Sequence, residues 1–152
     1  MTELHVEIVQ LEPMRVASAL GFGESPEFAA IETLLAWARP QGLLEEGYTA
    51  YGFNNPDPSP GSPNYGYEIW LPVGGEVQGG ESVEIKDYPG GLFGVARCEG
   101  TGAIGDAWKA LVAWREGSSY GQGHHQWLEK FLVPPDAPVI ELRFDLYLPI
   151  VE

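Results

Sequence analysis

One cysteine, Cys98, stands among the 152 residues, so no intramolecular disulfide can form. A reducing compartment, the cytoplasm, is the expected setting. Basic residues are scarce as well: 8 Lys and Arg against 22 Asp and Glu give a formal charge of −14. That field repels phosphate backbones, and no Lys/Arg cluster overcomes it locally, so direct nucleic-acid binding is disfavoured. No apolar run reaches membrane-spanning length, which argues against a membrane partner. The opening Met1-Thr2-Glu3-Leu4-His5 lacks the basic and apolar regions of a signal peptide. Gly117-Ser118-Ser119-Tyr120-Gly121 has the spacing of a G-x-S-x-G elbow but reads as a loop, so no serine nucleophile is expected. His124 and His125 are adjacent, so in a strand they point to opposite faces, and no H-x-x-x-H spacing exists; no metal is expected.

What the chain does have is a core-forming composition, 44% hydrophobic with five tryptophans. That is enough for one domain over residues 1–152, or two small halves sharing a core. It also repeats itself. Val6-Glu7-Ile8 recurs as Val83-Glu84-Ile85, and Leu34-Leu35-Ala36-Trp37 as Leu111-Val112-Ala113-Trp114. Tyr67-Glu68-Ile69-Trp70-Leu71-Pro72-Val73 recurs as Phe144-Asp145-Leu146-Tyr147-Leu148-Pro149-Ile150. All three pairs share one offset, about half the chain, which marks an internal duplication with halves near 3–75 and 80–152. The glycines at 74–75 and 79–80 form the natural linker.

Each copy reads as strand-strand-helix-strand-strand. In the first, strands are expected near 4–10 and 14–22, then a helix capped by Ser25 with Pro26 in its first turn. Phe28, Ile31, Leu34, Leu35 and Ala38 keep helical spacing until Pro40 and Gly42. Strands near 48–54 and 65–73 follow, split by the Asn54-Asn55-Pro56-Asp57-Pro58 loop. The second copy offers strands near 82–87 and 91–98, a helix near 103–116, and strands near 124–132 and 139–150. The class is α+β, an antiparallel sheet backed by two helices whose Trp37 and Trp114 are expected in the core.

Strand alternation separates core from candidate site. Tyr67, Ile69, Leu71 and Val73 make one face, leaving Glu68 and Trp70 on the other. Phe144, Leu146, Leu148 and Ile150 do the same, leaving Arg143, Asp145 and Tyr147. In His124 to Leu132, Leu128 and Leu132 are expected to face the core, with His125, Trp127, Glu129 and Phe131 opposite. A carboxylate between large rings suits a flat cationic ligand, and its apolar flanks should resist ionisation and permit proton transfer. The plainer reading of this segment is an amphipathic helix or an exposed strand with a solvated glutamate. Gly100-Thr101-Gly102-Ala103-Ile104-Gly105 matches a dinucleotide fingerprint but lacks the parallel βαβ context, so it reads as a glycine-rich helix entry, and no cofactor is implied. Cys98 reads as a buried small hydrophobe.

In this order, several segments resemble the GyrI-like family, the effector-binding domain found alone or fused to AraC-type and MerR-type regulators. They are Met14-Arg15-Val16-Ala17, the Trp37 helix, Tyr51-Gly52-Phe53 before Asn55-Pro56, and Tyr65-Gly66-Tyr67-Glu68-Ile69-Trp70. Tyr88-Pro89-Gly90-Gly91-Leu92-Phe93, the Trp114 helix, Trp127-Leu128-Glu129-Lys130-Phe131 and Leu148-Pro149-Ile150 complete the series. The resemblance implies a duplicated strand-helix-strand-strand module with pseudo-twofold symmetry and a central ligand groove between the halves. It implies that Glu129 is the groove acid, with Glu68, Trp70, Trp127, Phe131, Tyr51 and Tyr147 as wall residues. Some stand-alone relatives hydrolyse strained cyclopropane rings in DNA-alkylating toxins, and there Glu129 and Glu68 would be the catalytic pair. The family's namesake inhibits DNA gyrase, so an acidic protein-binding inhibitor is a third reading. Binding of a small, flat, hydrophobic and cationic molecule, for sensing or sequestration, is the leading expectation. The sequence leaves the oligomeric state open.

Overall fold

A computed structural model describes residues 5–55, 60–61, 63–99, 104–124 and 126–152. His125, the Gly100 to Ala103 part of the glycine-rich turn, Pro56, Asp57 and Pro58 lie outside them, as do residues 1–4. Among the described residues, nine strands and two α-helices follow one another as β1 (Glu7–Leu11), β2 (Met14–Gly23), α1 (Pro26–Ala38), β3 (Ala50–Asn54), β4 (Tyr65–Pro72), β5 (Glu84–Tyr88), β6 (Gly91–Glu99), α2 (Ile104–Glu116), β7 (Gly121–Gln122), β8 (Leu128–Phe131) and β9 (Arg143–Val151). The class is α+β, as the sequence implies. Pairings within each unit described below are antiparallel.

Contacts group the chain into two compact units. One comprises Met14–Tyr88 with Pro134–Asp136; the other comprises Met1–Pro13, Pro89–Val133 and Ala137–Glu152. In the first, strands run β5-β2-β4-β3 with α1 packed on β2 and β4. In the second they run β1-β6-β9-β8, β7 adds to the end of β9, and α2 packs on β6 and β9. The two orders correspond strand for strand, as a duplication requires. The units nevertheless cut across the repeats. β1 belongs to the first repeat yet pairs with β6, and β5 opens the second repeat yet pairs with β2.

Local chemistry accounts for the faces. Ala17, Ala19 and Gly21 alternate along β2 on the side that meets α1, and their size lets the helix close on the strand. A Cβ on Gly21 would lie 2.2 Å from the Pro26 carbonyl oxygen. Tyr67, Ile69 and Leu71 stand beside them on β4, and α1 answers with Ala30, Ile31, Leu34, Leu35 and Ala38. In the other unit Gly94, Ala96 and Cys98 share a face with Leu148, Leu146 and Phe144, and the Trp114 ring covers Gly94. Gly90 has a positive φ of 80°, and a Cβ there would run into the carbonyl oxygen of Leu11, so only glycine fits that turn.

Several local expectations need correction. Ser25 sits at the α1 N-cap but makes no side-chain cap bond, although Pro26 holds its first-turn position. Phe28 is 64% exposed, because it falls on the outer side of the first turn despite its helical spacing. Trp37 and Trp114 are half-buried rather than core residues. The strand expected over 124–132 shortens to β8, and a 3-10 turn over Val139–Glu141 delays the start of β9.

Candidate functional site

Two acids placed by the strand register have opposite surroundings. On β4, Glu68 and Trp70 stand on the side away from α1, beside Leu20 and Ser18 of β2 and Phe53 and Tyr51 of β3. Glu68 is 2% exposed and holds four donors. Its Oε2 accepts from Ser18 Oγ at 2.6 Å, Trp70 Nε1 at 2.6 Å and Lys86 Nζ at 2.8 Å, while Oε1 accepts from Asn55 Nδ2 at 2.9 Å. Burial pushes this carboxyl up, but the bonds from Lys86, Ser18, Trp70 and Asn55 outweigh burial and hold it below the usual range. Glu68 is therefore an ionised hub whose acceptor capacity is already used. Phe53 and Tyr88 pack on Trp70 at ring separations of 4.9 and 5.2 Å. Burial, with the nearby Tyr51, pushes the Tyr88 hydroxyl up to about 12, so it stays protonated.

Glu129 stands elsewhere. It pairs with Leu146 across β8 and β9, and Phe131 pairs with Phe144 at a ring separation of 5.0 Å. Directly opposed residues share a face, so both lie on the α2 side of the sheet. A second observation agrees: the Cys98 thiol, on that same face, is pushed up by burial and by the charge of Glu129. Glu129 is half-buried. Trp127 precedes β8, is 36% exposed, and meets Trp108 of α2 at 5.3 Å. Tyr147 falls on the opposite face, beside Leu128 and against Phe93 at 5.5 Å.

The structure thus distributes the seven residues singled out in the sequence. Glu68, Trp70 and Tyr51 come together in one unit. In the other, Glu129 and Phe131 share the α2 face, Trp127 reaches α2 through Trp108, and Tyr147 is separated from them by the sheet. Leu128 is fully buried, as expected, on the face it shares with Tyr147, while the register with β9 puts Glu129 and Phe131 on the α2 side.

Sequence reasoning missed Trp108, and it missed Ser18, Asn55 and Lys86 as partners of Glu68. Lys86 could have been found: it is one of eight basic residues and alternates onto one face with Glu84 and Tyr88. Trp108 had a signal too, since it takes the place of the buried Ile31 in the other repeat. Among the described residues no cluster of His, Cys, Asp and Glu could hold a metal. No helix there is long and apolar enough to cross a membrane. An open cleft of about 510 Å³ lies among Glu99, Val133, Ile140, Glu141, Leu142 and Arg143, but it has no aromatic wall.

Known proteins can now be set beside this geometry. The profile of the GyrI-like small molecule binding domain matches residues 4–151. No curated protein matches in sequence. Among solved structures, the chain is similar to the C-terminal domain of EcmrR, with 12% identity, a TM-score of 0.73 and 99% of each chain covered. It spans 58% of the EcmrR chain in a DNA complex. A hydrolase from Listeria innocua has 14% identity and a TM-score of 0.68 over 95% of this chain and 91% of that one. SAV2435 bound to tetraphenylphosphonium has 9% identity and a TM-score of 0.55 over 96% and 93%. At such identities the likeness is one of fold.

Proposed function

This chain belongs to the GyrI-like small molecule binding domain family, and we propose that it binds a flat, hydrophobic organic cation beside Glu129. The exposure and aromatic flanks of Glu129 carry this reading, since Glu68, at 2% exposed, offers a ligand no access. Glu129 is half-buried on the α2 face, with Phe131 on its strand and the partly exposed Trp127 two residues before it. A carboxylate beside aromatic surface attracts a desolvated cation by Coulomb and cation–π terms together. The helices support the same side. α1 buries six residues, whereas α2, of equal length, buries only Leu111 and Arg115 and leaves Trp108 and Trp114 partly uncovered. SAV2435, of the same fold, binds the hydrophobic cation tetraphenylphosphonium.

Tryptophan fluorescence titrated with N-methylacridinium, and with acridine at a pH where it is uncharged, tests the reading. Wild type should prefer the cation, and Glu129→Gln should weaken it roughly tenfold while leaving neutral acridine unchanged. Equal binding of both rings, or an unaffected variant, would remove Glu129 from the site.

Catalysis at the same place is the second reading, favoured by the fold shared with the Listeria hydrolase. Under it Glu129 is the general acid or base. Glu68 serves only to position, since Lys86 and its other donors hold it ionised. Glu129→Gln should then abolish turnover of a strained electrophile, such as a cyclopropane-bearing alkylating agent, while sparing its binding. Persistent turnover by the variant would exclude this assignment.

A further inference from the structure

We propose that Trp108 and Trp127 form a movable indole pair that admits a planar polycyclic ring between them, making Trp108 the residue that selects flat ligands. The inference rests on the Glu129 reading above and adds the shape of the ligand.

Three observations carry it. First, the rings lie 5.3 Å apart at an interplanar angle of 39°, neither a parallel stack nor an edge-to-face contact. A planar molecule held between two parallel rings needs about 7 Å between their planes, two van der Waals thicknesses. The pair is therefore closed, and one indole must move by roughly 2 Å to admit a ring.

Second, Trp127 is free to make that movement. It precedes β8, has no ladder position of its own and is 36% exposed. Trp108 is anchored on α2 one turn before the buried Leu111, so it serves as the fixed wall. Third, the pair stands next to an acid. Tyr51, Phe53, Trp70, Phe93, Phe131, Phe144 and Tyr147 are buried, while these two indoles keep exposed surface beside a carboxylate two positions along the chain. The other repeat has Ile31 and Ala50 at the corresponding positions, so the indole pair belongs to one copy alone.

An inserted ring would trade the tilted contact for two stacked ones. A bulky non-planar cation could meet Glu129 but could not enter. The experiment compares N-methylacridinium with tetraphenylphosphonium by calorimetry on wild type, Trp108→Leu and Trp108→Phe. Wild type should bind both. Trp108→Leu should lose roughly tenfold for the planar cation and less than twofold for tetraphenylphosphonium, with Trp108→Phe falling between. The phenylalanine variant keeps an aromatic wall should leucine disturb α2, which circular dichroism would reveal.

If wild type binds neither cation, the function proposed above fails and this inference with it. If both bind but Trp108→Leu and Trp108→Phe weaken both equally, or neither, the indole pair plays no part in selecting shape and this inference alone is overturned.

Discussion

Glu68→Ala should cost the fold on the order of 3 kcal/mol, which for a chain of this size lowers Tm by roughly 10 °C. The loss comes from the groups left behind rather than from the carboxylate itself. Ser18 is 5% exposed and Trp70 is 6% exposed, and both donate to Glu68 Oε2. Without it, two buried donors lose their acceptor, at about 1–3 kcal/mol each where nothing replaces it. Asn55 loses a contact as well, and the emptied side chain leaves a cavity beside Trp70. Lys86 is the partner that matters least: it is 38% exposed and can turn to water or towards Glu84, 3.8 Å away. Lys86→Met takes the ammonium from a buried carboxylate and should cost about 2 kcal/mol, less than Glu68→Ala because Ser18, Trp70 and Asn55 still donate to it. Urea unfolding of both variants measures the contrast. A Glu68→Ala loss no larger than that of Lys86→Met would show that the buried donors find other acceptors.

The same hub gives the fold a pH dependence of defined sign. Hydrogen bonding outweighs burial and holds the folded Glu68 below its ordinary value of 4.5. The unfolded chain therefore takes up this proton more readily than the native one. Stability from Glu68 is complete above about 4.5 and is lost as the pH falls through the lower folded value. The stability gap between wild type and Glu68→Gln should shrink over that acidic window and stay flat above it. A gap that widens on acidification would reverse the sign.

Local periodicity made much of this visible beforehand. Residues 26–38 show a period near 3.6 between a proline and a glycine stop, and in β4 Glu68 and Trp70 alternate with Tyr67, Ile69 and Leu71. What periodicity cannot supply is the partner of each strand. Alternation groups Glu129 with Phe131, and it does so correctly, but only pairing with Leu146 and Phe144 puts them on the α2 side and leaves Tyr147 behind. The exchange of β1 and β5 between repeats is likewise a matter of long-range pairing. Glu68 was recognisable as an acid beside an indole. Its donors come from β2, β4, β5 and the end of β3, so its role as a saturated hub emerges only when those segments meet. Phe28 has the spacing of a core residue and faces water, because it falls on the outer side of the first turn of α1.

Gly21→Ala should destabilise by about 3 kcal/mol, although it adds a single methyl group. Conformational freedom is not the reason, since Gly21 has no positive φ. Space is. The new Cβ would sit 2.2 Å from the Pro26 carbonyl oxygen, 3.0 Å from the Ala30 nitrogen and 3.2 Å from the Pro26 carbonyl carbon. All three are backbone atoms of α1, so no side chain can rotate away. Either the helix start lifts from β2 or the strand bends, and both loosen Ala30 and Leu34, which are fully buried. The other repeat shows that the restriction is local. Cys98 takes the corresponding place on β6, and there the close approach moves to Gly94 under the Trp114 ring. Gly75→Ala is the control: a Cβ there meets nothing within 4 Å, so its effect should stay within about 0.5 kcal/mol. Thermal unfolding of the two variants, followed by circular dichroism, should separate them by roughly 10 °C. If Gly21→Ala unfolds together with Gly75→Ala, α1 is not seated on β2 as closely as Gly21 requires.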